Sequence, residues 1–384
     1  MPEREYLLDV SRLIWRIWSG RLPTGIDRVC LAYLDHFASR ARAVVQKGSL
    51  HRILPPDTSD RLFGLLAQGG PGFRRSLMAM VSSLALSPGA TSAHAGRIYL
   101  NIGHTGLDAA TLPQWIARSG LKAVYLVHDL IPITHPEFSR AGESDKHERR
   151  MTNALRSATG IIGNSQATIE ELRAFAIASG RPMPASVVAW LAGPDHPVNV
   201  EPAKLDRPYF VAVGTIEGRK NHILLLQIWQ RLVARLGEAT PQLIIIGQRG
   251  WEADHALAML NRGFGLAGHV KELGRCPDVE LAQLVAGARA LLMPSFIEGF
   301  GLPIIEALDL GTPVIASDRP VFREIAGDIP TYLDPLDGPG WERAILEFIG
   351  ESPERRRQKR LMAGYVAPDW AAHFAIVEGW LNTL

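Results

Sequence analysis

Cysteine is scarce in this sequence, and so is net charge. The 384 residues include two cysteines, Cys30 and Cys276, which lie far apart and match neither a metal-binding spacing nor a disulfide framework. A reducing, cytoplasmic compartment is the corresponding prediction. The formal net charge of +2 is too small to indicate a nucleic-acid-binding protein by itself.

Long apolar runs are also missing. No stretch approaches the roughly 20 apolar residues of a membrane span, and the N-terminus, with Glu3 and Asp9 among its apolar residues, does not resemble a signal peptide. No Gly-x-Gly-x-x-Gly motif follows a predicted strand, which argues against a nicotinamide-binding protein. No Asp-x-Asp metal motif is found either. We therefore expect a globular protein with no nicotinamide cofactor, and the missing Asp-x-Asp motif is consistent with independence from metal.

The composition and the order of segments predict an α/β protein with two domains. A hydrophobic content of 47% and a charged content of 21% are ordinary for a globular protein, and 384 residues suggest two domains. A proline-rich stretch without periodicity follows Gly193 and predicts a linker. The predicted ranges are 1–195 for the first domain, 196–208 for the linker, 209–365 for the second domain, and 366–384 for a C-terminal helix.

One turn in the second domain combines glycines with carboxylates. The apolar run 290–293 predicts a buried strand, and Pro303 is suited to the first turn of a helix. Glycines at 299 and 301 would expose backbone amides at the helix N-terminus, where the helix dipole attracts phosphate. Glu298 and Glu306 flank this turn, and carboxylates accept hydrogen bonds from sugar hydroxyls. The arrangement fits a nucleotide-sugar, although a solvated, purely structural turn is the alternative.

A basic pair follows another predicted strand of the second domain. The strand 209–214 leads into the loop 215–222, which carries Arg219 and Lys220 next to a helix N-terminus. Positive charge at this place can stabilise a leaving diphosphate without a metal. Two solvated basic residues with no chemical role are the alternative interpretation.

These motifs resemble those of a known enzyme family. The stretch from Glu298 to Glu306 resembles the Glu-x7-Glu signature of retaining GT-B glycosyltransferases, family 4 in particular. The sequence from Gly214 to Asn221 is similar to that family's second hallmark, Gly-Thr-x-Glu-x-Arg-Lys-Asn. The resemblance implies the GT-B fold, with two Rossmann-like domains and an interdomain cleft. It also places the C-terminal helix back on the first domain.

The activity implied by the resemblance is transfer of a hexose from a nucleoside diphosphate sugar to a glycan or lipid-linked glycan acceptor. Mannose from GDP-mannose is the donor it suggests, and a bacterial surface polysaccharide or lipopolysaccharide is the product. Retention at the anomeric carbon and independence from metal are part of the same expectation. The protein would be cytoplasmic, with peripheral contact at the inner face of the membrane. Nucleic acid is not an expected partner.

The resemblance also assigns roles to individual residues. The residues expected to be catalytic are His128, Arg219, Lys220 and Glu298. The residues expected to bind the donor are Gly25, Arg219, Lys220, Arg275, Cys276, Glu298, Gly299, Phe300, Gly301, Leu302 and Glu306. Of these, Arg275 and Cys276 stand in the turn that receives the nucleobase in the family. Asp27 and His104 are the candidates for acceptor binding, and only one glycine of the family's usual N-terminal pair is present, at Gly25.

Several alternatives stay open in the first half of the chain. Asp27 and Arg28 could form a surface ion pair, and His128 could simply hydrogen-bond a loop carbonyl. A short basic amphipathic helix near 74–84 could contact an anionic membrane or pack in the core. Trp15 and Trp18, near several arginines, could stack on sugar, form an interface or lie in a partly buried turn.

Two other functions compete with glycosyl transfer. A nucleotide-sugar 2-epimerase of the same fold would convert the donor without any acceptor. A relative without catalytic activity would bind glycans or protein partners. The presence of both glutamates of the signature and of the Arg219–Lys220 pair argues against loss of activity.

Overall fold

The protein is described here by a computed structural model that covers residues 4–20, 24–70, 72–84, 94–193, 200–263, 265–274 and 276–384. Arg275, assigned above to the nucleobase turn, lies outside these residues. The chain divides into two compact units. Unit 1 comprises Met1–Leu130, Asp145–Leu191 and Trp370–Leu384, and unit 2 comprises Ile131–Ser144 and Ala192–Asp369.

The described part of unit 1 contains a seven-stranded sheet. Its strands are β1 (Tyr6–Asp9), β2 (Ala41–Lys47), β3 (Leu50–Ile53), β4 (Ile98–Asn101), β5 (Lys122–Val127), β6 (Ala158–Gly163) and β7 (Ala185–Val188). They are ordered β3-β2-β1-β4-β5-β6-β7, and only the β2–β3 pair is antiparallel. The helices that accompany this sheet are α1 (Ser11–Ser19), α2 (Gly25–Phe37), α3 (Pro56–Gln68), α4 (Phe73–Leu84), α5 (Thr111–Ser119), α7 (Glu143–Ser157), α8 (Gln166–Ala178) and α16 (Trp370–Leu381).

The described part of unit 2 contains a six-stranded parallel sheet. Its strands are β8 (Tyr209–Val213), β9 (Gln242–Ile246), β10 (Val270–Leu273), β11 (Leu291–Met293), β12 (Val314–Ser317) and β13 (Thr331–Leu333). Their order, β10-β9-β8-β11-β12-β13, is the Rossmann order 3-2-1-4-5-6. The helices are α6 (Ile131–Thr134), α9 (His222–Leu236), α10 (Asp254–Arg262), α11 (Asp278–Gly287), α12 (Leu302–Asp309), α13 (Pro320–Ala326), α14 (Gly338–Ile349) and α15 (Pro353–Met362). The predicted α/β class with two Rossmann-like sheets is thus confirmed.

The core of unit 2 explains why its strands are continuous apolar runs. Helices cover both faces of a parallel sheet, so side chains on both faces are buried. Phe210 of β8 packs edge-on against Trp229 of α9, with 5.9 Å between ring centroids. Trp341 of α14 is fully buried in the same cluster, and its indole N–H donates to the carbonyl oxygen of Asp334 at 2.9 Å.

The region 50–95, which gave few sequence signals, contains regular structure. It forms the edge strand β3 and helices α3 and α4. The predicted basic helix is present as α4, with Phe73 buried and Arg74 and Met78 exposed. The segment with Trp15 is a helix, α1, rather than a turn, and Trp15 is 68% exposed. β3 was missed because an edge strand is short and need not be apolar on both faces.

Residues 131–144 pack in unit 2, although the predicted first domain, 1–195, includes them. The ring of Phe138 stacks on that of Phe296, with centroids 5.5 Å apart and planes 8° apart. The indole N–H of Trp251 donates to the carbonyl oxygen of Phe138 at 3.3 Å, and the Arg140 guanidinium lies 4.8 Å from the centroid of that indole. Such ring contacts join residues that are distant in sequence, so no local sequence pattern predicts them.

The C-terminal helix α16 packs in unit 1. His373 is buried and shares hydrogen bonds with the Tyr33 hydroxyl at 2.9 Å and the Trp190 carbonyl oxygen at 2.9 Å. The Glu378 carboxylate also accepts hydrogen bonds from Arg40 and His36. Among the described residues, no helix is both long enough and apolar enough to cross a bilayer.

The loops that follow β8 and β9 touch through glycines. A Cβ atom on Gly247 would lie 1.9 Å from the carbonyl oxygen of Gly214, and one on Gly218 would lie 2.5 Å from that of Glu252. The Gly250 amide donates to the Ile216 carbonyl at 2.9 Å. Because backbone meets backbone, the two loops form one packed layer at the carboxyl edge of the sheet.

This contact makes Gly247 sensitive to substitution. We expect Gly247→Ala to lower the free energy of unfolding by roughly 3 kcal/mol, because the new methyl group meets backbone that has no room to move. Urea denaturation measures the change. Gly350→Ala, at a position with open space around it, is the control and should stay within about 0.5 kcal/mol of the wild type. Equal stabilities of the two variants would contradict the close approach.

Candidate functional site

The loops after β8 and β11 bring together the predicted catalytic residues of unit 2. These strands are neighbours in the parallel sheet, so their carboxyl ends lie side by side. The Lys220 ammonium lies 2.6 Å from Oε1 of Glu298, and Nη1 of Arg219 lies 2.5 Å from Oε2. The amide of Phe296 donates to the carbonyl oxygen of Arg219 at 2.8 Å, which joins the two loops through backbone as well.

The Glu298 carboxylate is stabilised as an anion although it is buried. Its side chain is 7% exposed, and burial alone would raise its pKa. The charges and hydrogen bonds of Arg219 and Lys220 overcome that effect and lower the pKa of Glu298 to about 2. The hydroxyl of Ser295 also donates to Oε1 at 2.8 Å. Glu298 is therefore ionised throughout the physiological pH range.

A fourth charged group, Glu217, completes this ionic cluster. Its Oε1 lies 2.6 Å from Nη2 of Arg219, and the residue is only 4% exposed. Burial raises the pKa of Glu217, opposed by the nearby Arg219 and Lys220. Glu217 belongs to the second hallmark motif, but the motif alone predicted no role for it. Its position two residues before Arg219 was the available signal.

Helix α12 begins at Leu302, next to Pro303, which the sequence predicted for the first turn of a helix. Gly301 is its N-cap residue, with φ 112° and ψ 37°, a conformation that side chains other than glycine rarely adopt. A Cβ atom there would also lie 2.9 Å from the ring of Phe322. Phe300 and Glu306 are buried, whereas Gly299 and Leu302 are half-buried. The signature glutamates thus lie on either side of a glycine-dependent helix start.

Two further residues of unit 2 carry neutral groups at neutral pH. Burial and the adjacent Lys220 lower the pKa of His222 to about 4, so its imidazole is uncharged. Burial, with Glu280 and Asp278 nearby, raises the pKa of the Cys276 thiol to about 11. Cys276 is half-buried and is a free cysteine.

The histidines of unit 1 form a buried cluster of their own. His128 follows β5 and donates from Nε2 to the carbonyl oxygen of Ile102 at 2.8 Å, and His104 donates to that of Leu126 at 2.7 Å. Their rings lie 5.3 Å apart, and the ring of His147 lies 6.0 Å from that of His104. Burial lowers the pKa of His128 to about 4. At neutral pH His128 offers hydrogen bonds rather than a positive charge.

Asp27 lies inside unit 1 and is not part of a surface ion pair with Arg28. Its carboxylate is 1% exposed and accepts hydrogen bonds from Nε of Arg12 at 2.7 Å and from Nε of Arg16 at 2.6 Å. The amide and hydroxyl of Thr24 each donate to it at 2.7 Å, which closes a capping box at the start of α2. Gly25 is the first residue of that helix. Asp27 therefore has a structural role, whatever else it binds.

His135 lies in the part of unit 2 that comes from residues 131–144. Its Nδ1 is 2.9 Å from the hydroxyl of Thr134. Among the described residues, no group of three or more His, Cys, Asp or Glu side chains is arranged to hold a metal ion.

Comparisons with known proteins identify the second half of the chain. Residues 198–361 match the family model of glycosyl transferases group 1. This part of the protein, which includes the whole ionic cluster, is a group 1 glycosyltransferase domain.

Two relatives carry names that describe mannosyl transfer. The chain is 33% identical over 245 residues to O-antigen chain mannosyltransferase B of Escherichia coli, a match that covers 61% of this chain and 63% of that protein. It is 32% identical over 268 residues to the serotype-specific mannosyltransferase WbdA of Escherichia coli, covering 64% of this chain and 32% of that protein. The match thus spans less than two thirds of either relative.

Solved structures support the fold class. The Anabaena protein HepE in complex with UDP-glucose matches with a TM-score of 0.68 and 17% sequence identity, over 99% of both chains. Sucrose-phosphate synthase from Thermosynechococcus elongatus matches with a TM-score of 0.61 and 15% identity, over 98% of both chains. The similarity at this identity is one of fold, and the fold is that of GT-B glycosyltransferases.

The pKa of Glu298 predicts a pH-dependent contribution to stability. A carboxyl group whose pKa falls on folding, here from 4.5 to about 2, stabilises the folded state above its unfolded pKa and loses that effect as the pH falls. We expect Glu298→Gln to lower the free energy of unfolding by roughly 3 kcal/mol near pH 7. The difference from the wild type should shrink as the pH falls from about 5 to about 2, the folded-state pKa.

Urea denaturation of both proteins across this pH range measures the effect. Glu272→Gln is the control, because it breaks the exposed Arg249–Glu272 pair, whose atoms are 2.7 Å apart, and should cost less than about 1 kcal/mol. If the free energies of unfolding of Glu298→Gln and the wild type differ by the same amount at every pH, Glu298 is not a buried, ionised carboxylate.

Proposed function

We propose that the protein is a glycosyltransferase that moves a hexose from a nucleoside diphosphate sugar to a hydroxyl group of a glycan or lipid-linked glycan. One observation carries this proposal. Inside the group 1 domain, a buried carboxylate, Glu298, lies between Arg219 and Lys220 at the carboxyl edge of a Rossmann-type sheet. That edge is where open α/β sheets bind nucleotides.

The donor that we propose is GDP-mannose, and the product is a bacterial cell-surface polysaccharide. The names of the two Escherichia coli relatives, both mannosyltransferases, support the sugar. The acceptor would be held at the cytoplasmic face of the membrane. The exposed Arg74 and Met78 of α4 and the exposed Trp15 of α1 are candidates for peripheral contact there.

The proposed reaction needs no separate base. The bond between the anomeric carbon and the diphosphate oxygen breaks, and a bond to the acceptor oxygen forms on the same face of the sugar. The acceptor proton passes to an oxygen of the departing diphosphate. Arg219 and Lys220 exchange their contacts with Glu298 for the phosphate oxygens and stabilise the developing charge. Glu298 then accepts hydrogen bonds from sugar hydroxyls.

The other assignments follow the same chemistry. Glu306 accepts hydrogen bonds from the ribose, and the backbone near Gly299 and Gly301, at the start of α12, faces the diphosphate. We assign the turn at Cys276 to the nucleobase and His128 to a hydrogen bond with the donor sugar. Retention of configuration and independence from metal are parts of this proposal.

Donor binding can be tested without knowing the acceptor. A ligand that binds only the folded protein raises its melting temperature, so GDP-, UDP- and dTDP-sugars can be compared by thermal shift. We expect GDP-mannose to give the largest rise in melting temperature. Glu306→Ala should reduce that rise, because the ribose hydroxyls lose the carboxylate that accepts their hydrogen bonds. The exposed Glu347→Ala is the control and should keep the full rise.

Two results would count against the proposal. No rise with any nucleoside diphosphate sugar would contradict the donor class. Conversion of the donor sugar to its 2-epimer in the absence of acceptor would show the competing activity instead.

Lys220 should matter more for the transfer step than for donor binding. We expect Lys220→Ala to lower kcat roughly 100-fold, because the ammonium group meets charge that develops as the bond breaks. Steady-state kinetics with membrane extract as the acceptor source measures kcat and KM. Lys271→Ala, which removes an exposed lysine from β10, is the control. Wild-type kcat in a folded Lys220 variant would remove this residue from the mechanism.

A further inference from the structure

The ionic cluster of unit 2 holds as much negative as positive charge. Glu217 and Glu298 contribute two carboxylates, and Arg219 and Lys220 contribute two cations. Contacts of 2.5–2.6 Å join Glu217 to Arg219, Arg219 to Glu298, and Glu298 to Lys220. The neighbouring His222 adds no charge at neutral pH, because its pKa is lowered to about 4. A site for a diphosphate would be expected to carry excess positive charge. The presence of Glu217 therefore calls for an explanation.

We propose that Glu217 is a positioning residue for the diphosphate site. It holds the guanidinium of Arg219 in place and reduces the positive charge that a nucleoside diphosphate meets, so that the leaving group is released after transfer. This inference rests on the proposed function, because it concerns the same site.

The hydrogen bonds of Arg219 show how the position is held. Glu217 forms an ion pair with Nη2, its Oε1 2.6 Å away, while Nη1 donates to Glu298 at 2.5 Å and to the carbonyl oxygen of Ile297 at 3.2 Å. A guanidinium is a rigid planar fork, so partners on both terminal nitrogens define its plane. If Glu298 turns towards a sugar, Glu217 is the carboxylate that still orients Arg219.

The backbone around Glu217 is itself held by the loop after β9. The amide of Ile216 donates to the carbonyl oxygen of Gln248 at 2.8 Å, and the amide of Gly218 donates to that of Trp251 at 3.3 Å. A Cβ atom on Gly250 would lie 3.4 Å from the Cβ of Glu217. Because both neighbours of Glu217 are paired with a second loop, the carboxylate is anchored to the sheet.

The Glu217 carboxylate has little contact with water, so its charge acts strongly on the neighbouring groups. With the residue 4% exposed, water and salt screen its charge less than they would at the surface. Replacing it by glutamine keeps an oxygen that can accept from Arg219 but removes the negative charge. Replacing it by aspartate keeps the charge but shortens the side chain by one methylene group. These two variants separate electrostatics from orientation.

The experiment measures binding of GDP and UDP by calorimetry. It also measures kcat and KM with the nucleoside diphosphate sugar that gives the largest thermal shift. We expect Glu217→Gln to bind the nucleoside diphosphate roughly tenfold more tightly, with kcat limited by slower product release. Glu217→Asp should lower kcat by roughly 10- to 100-fold without tightening binding, because Arg219 loses its alignment.

Glu342→Gln is the matched control. Glu342 is also a buried carboxylate of unit 2, and its Oε2 forms an ion pair with Nε of Arg231 at 2.8 Å. Arg231 lies on helix α9, more than two turns beyond His222. This variant should change the melting temperature but leave the affinity for GDP and UDP unchanged.

The outcomes separate the two proposals. If Glu217→Gln and Glu217→Asp change only the melting temperature, as Glu342→Gln does, Glu217 has a purely structural role and the inference is overturned. If only the affinity of a folded Glu217→Gln variant for GDP and UDP is unchanged, the proposal that Glu217 weakens binding of the diphosphate through its charge is overturned. If the wild type binds neither GDP nor UDP, the proposed function fails instead.

Discussion

A buried carboxylate flanked by two cations is the interaction on which the rest of the second unit depends. Removing Glu298 from water is costly, and the cost is offset only while Arg219 and Lys220 stay within hydrogen-bonding distance. That requirement ties the turn after β11 to the loop after β8. Strand order, loop length and glycine placement in this part of the sheet all serve to keep these three side chains together.

The scaffold meets this requirement through backbone contacts. β8 and β11 are adjacent, and the amide of Phe296 pairs with the carbonyl oxygen of Arg219. On the other side, Gly214 and Gly247 touch so closely that a methyl group has no place between their loops. The charged cluster thus lies on two strand ends and three loops whose relative positions are determined by main-chain atoms.

The fold class and three residues of the charged cluster could be predicted from the sequence, because the sequence patterns that indicate them are local. Apolar runs, helix starts and the two hallmark motifs predicted the α/β class and indicated Arg219, Lys220 and Glu298, which the structure brings together. The neutrality of His128 was not predictable, since it follows from burial among residues distant in sequence. The same holds for Asp27, whose partners Arg12 and Arg16 come from a preceding helix. For Glu217 the motif gave a position close to Arg219, but only the structure shows the ion pair between them.

The packing of residues 131–144 in unit 2 affects how the polypeptide folds while it is being synthesised. Unit 2 takes Phe138 from an early segment and Phe296 from a late one, while unit 1 takes its last helix from the C-terminus. Each unit is therefore discontinuous along the chain: unit 2 is complete only when Asp369 has been synthesised, and unit 1 only when helix α16 follows. A fragment cut at the linker would leave the ring face of Phe296 uncovered, so the halves of this protein are not independent modules.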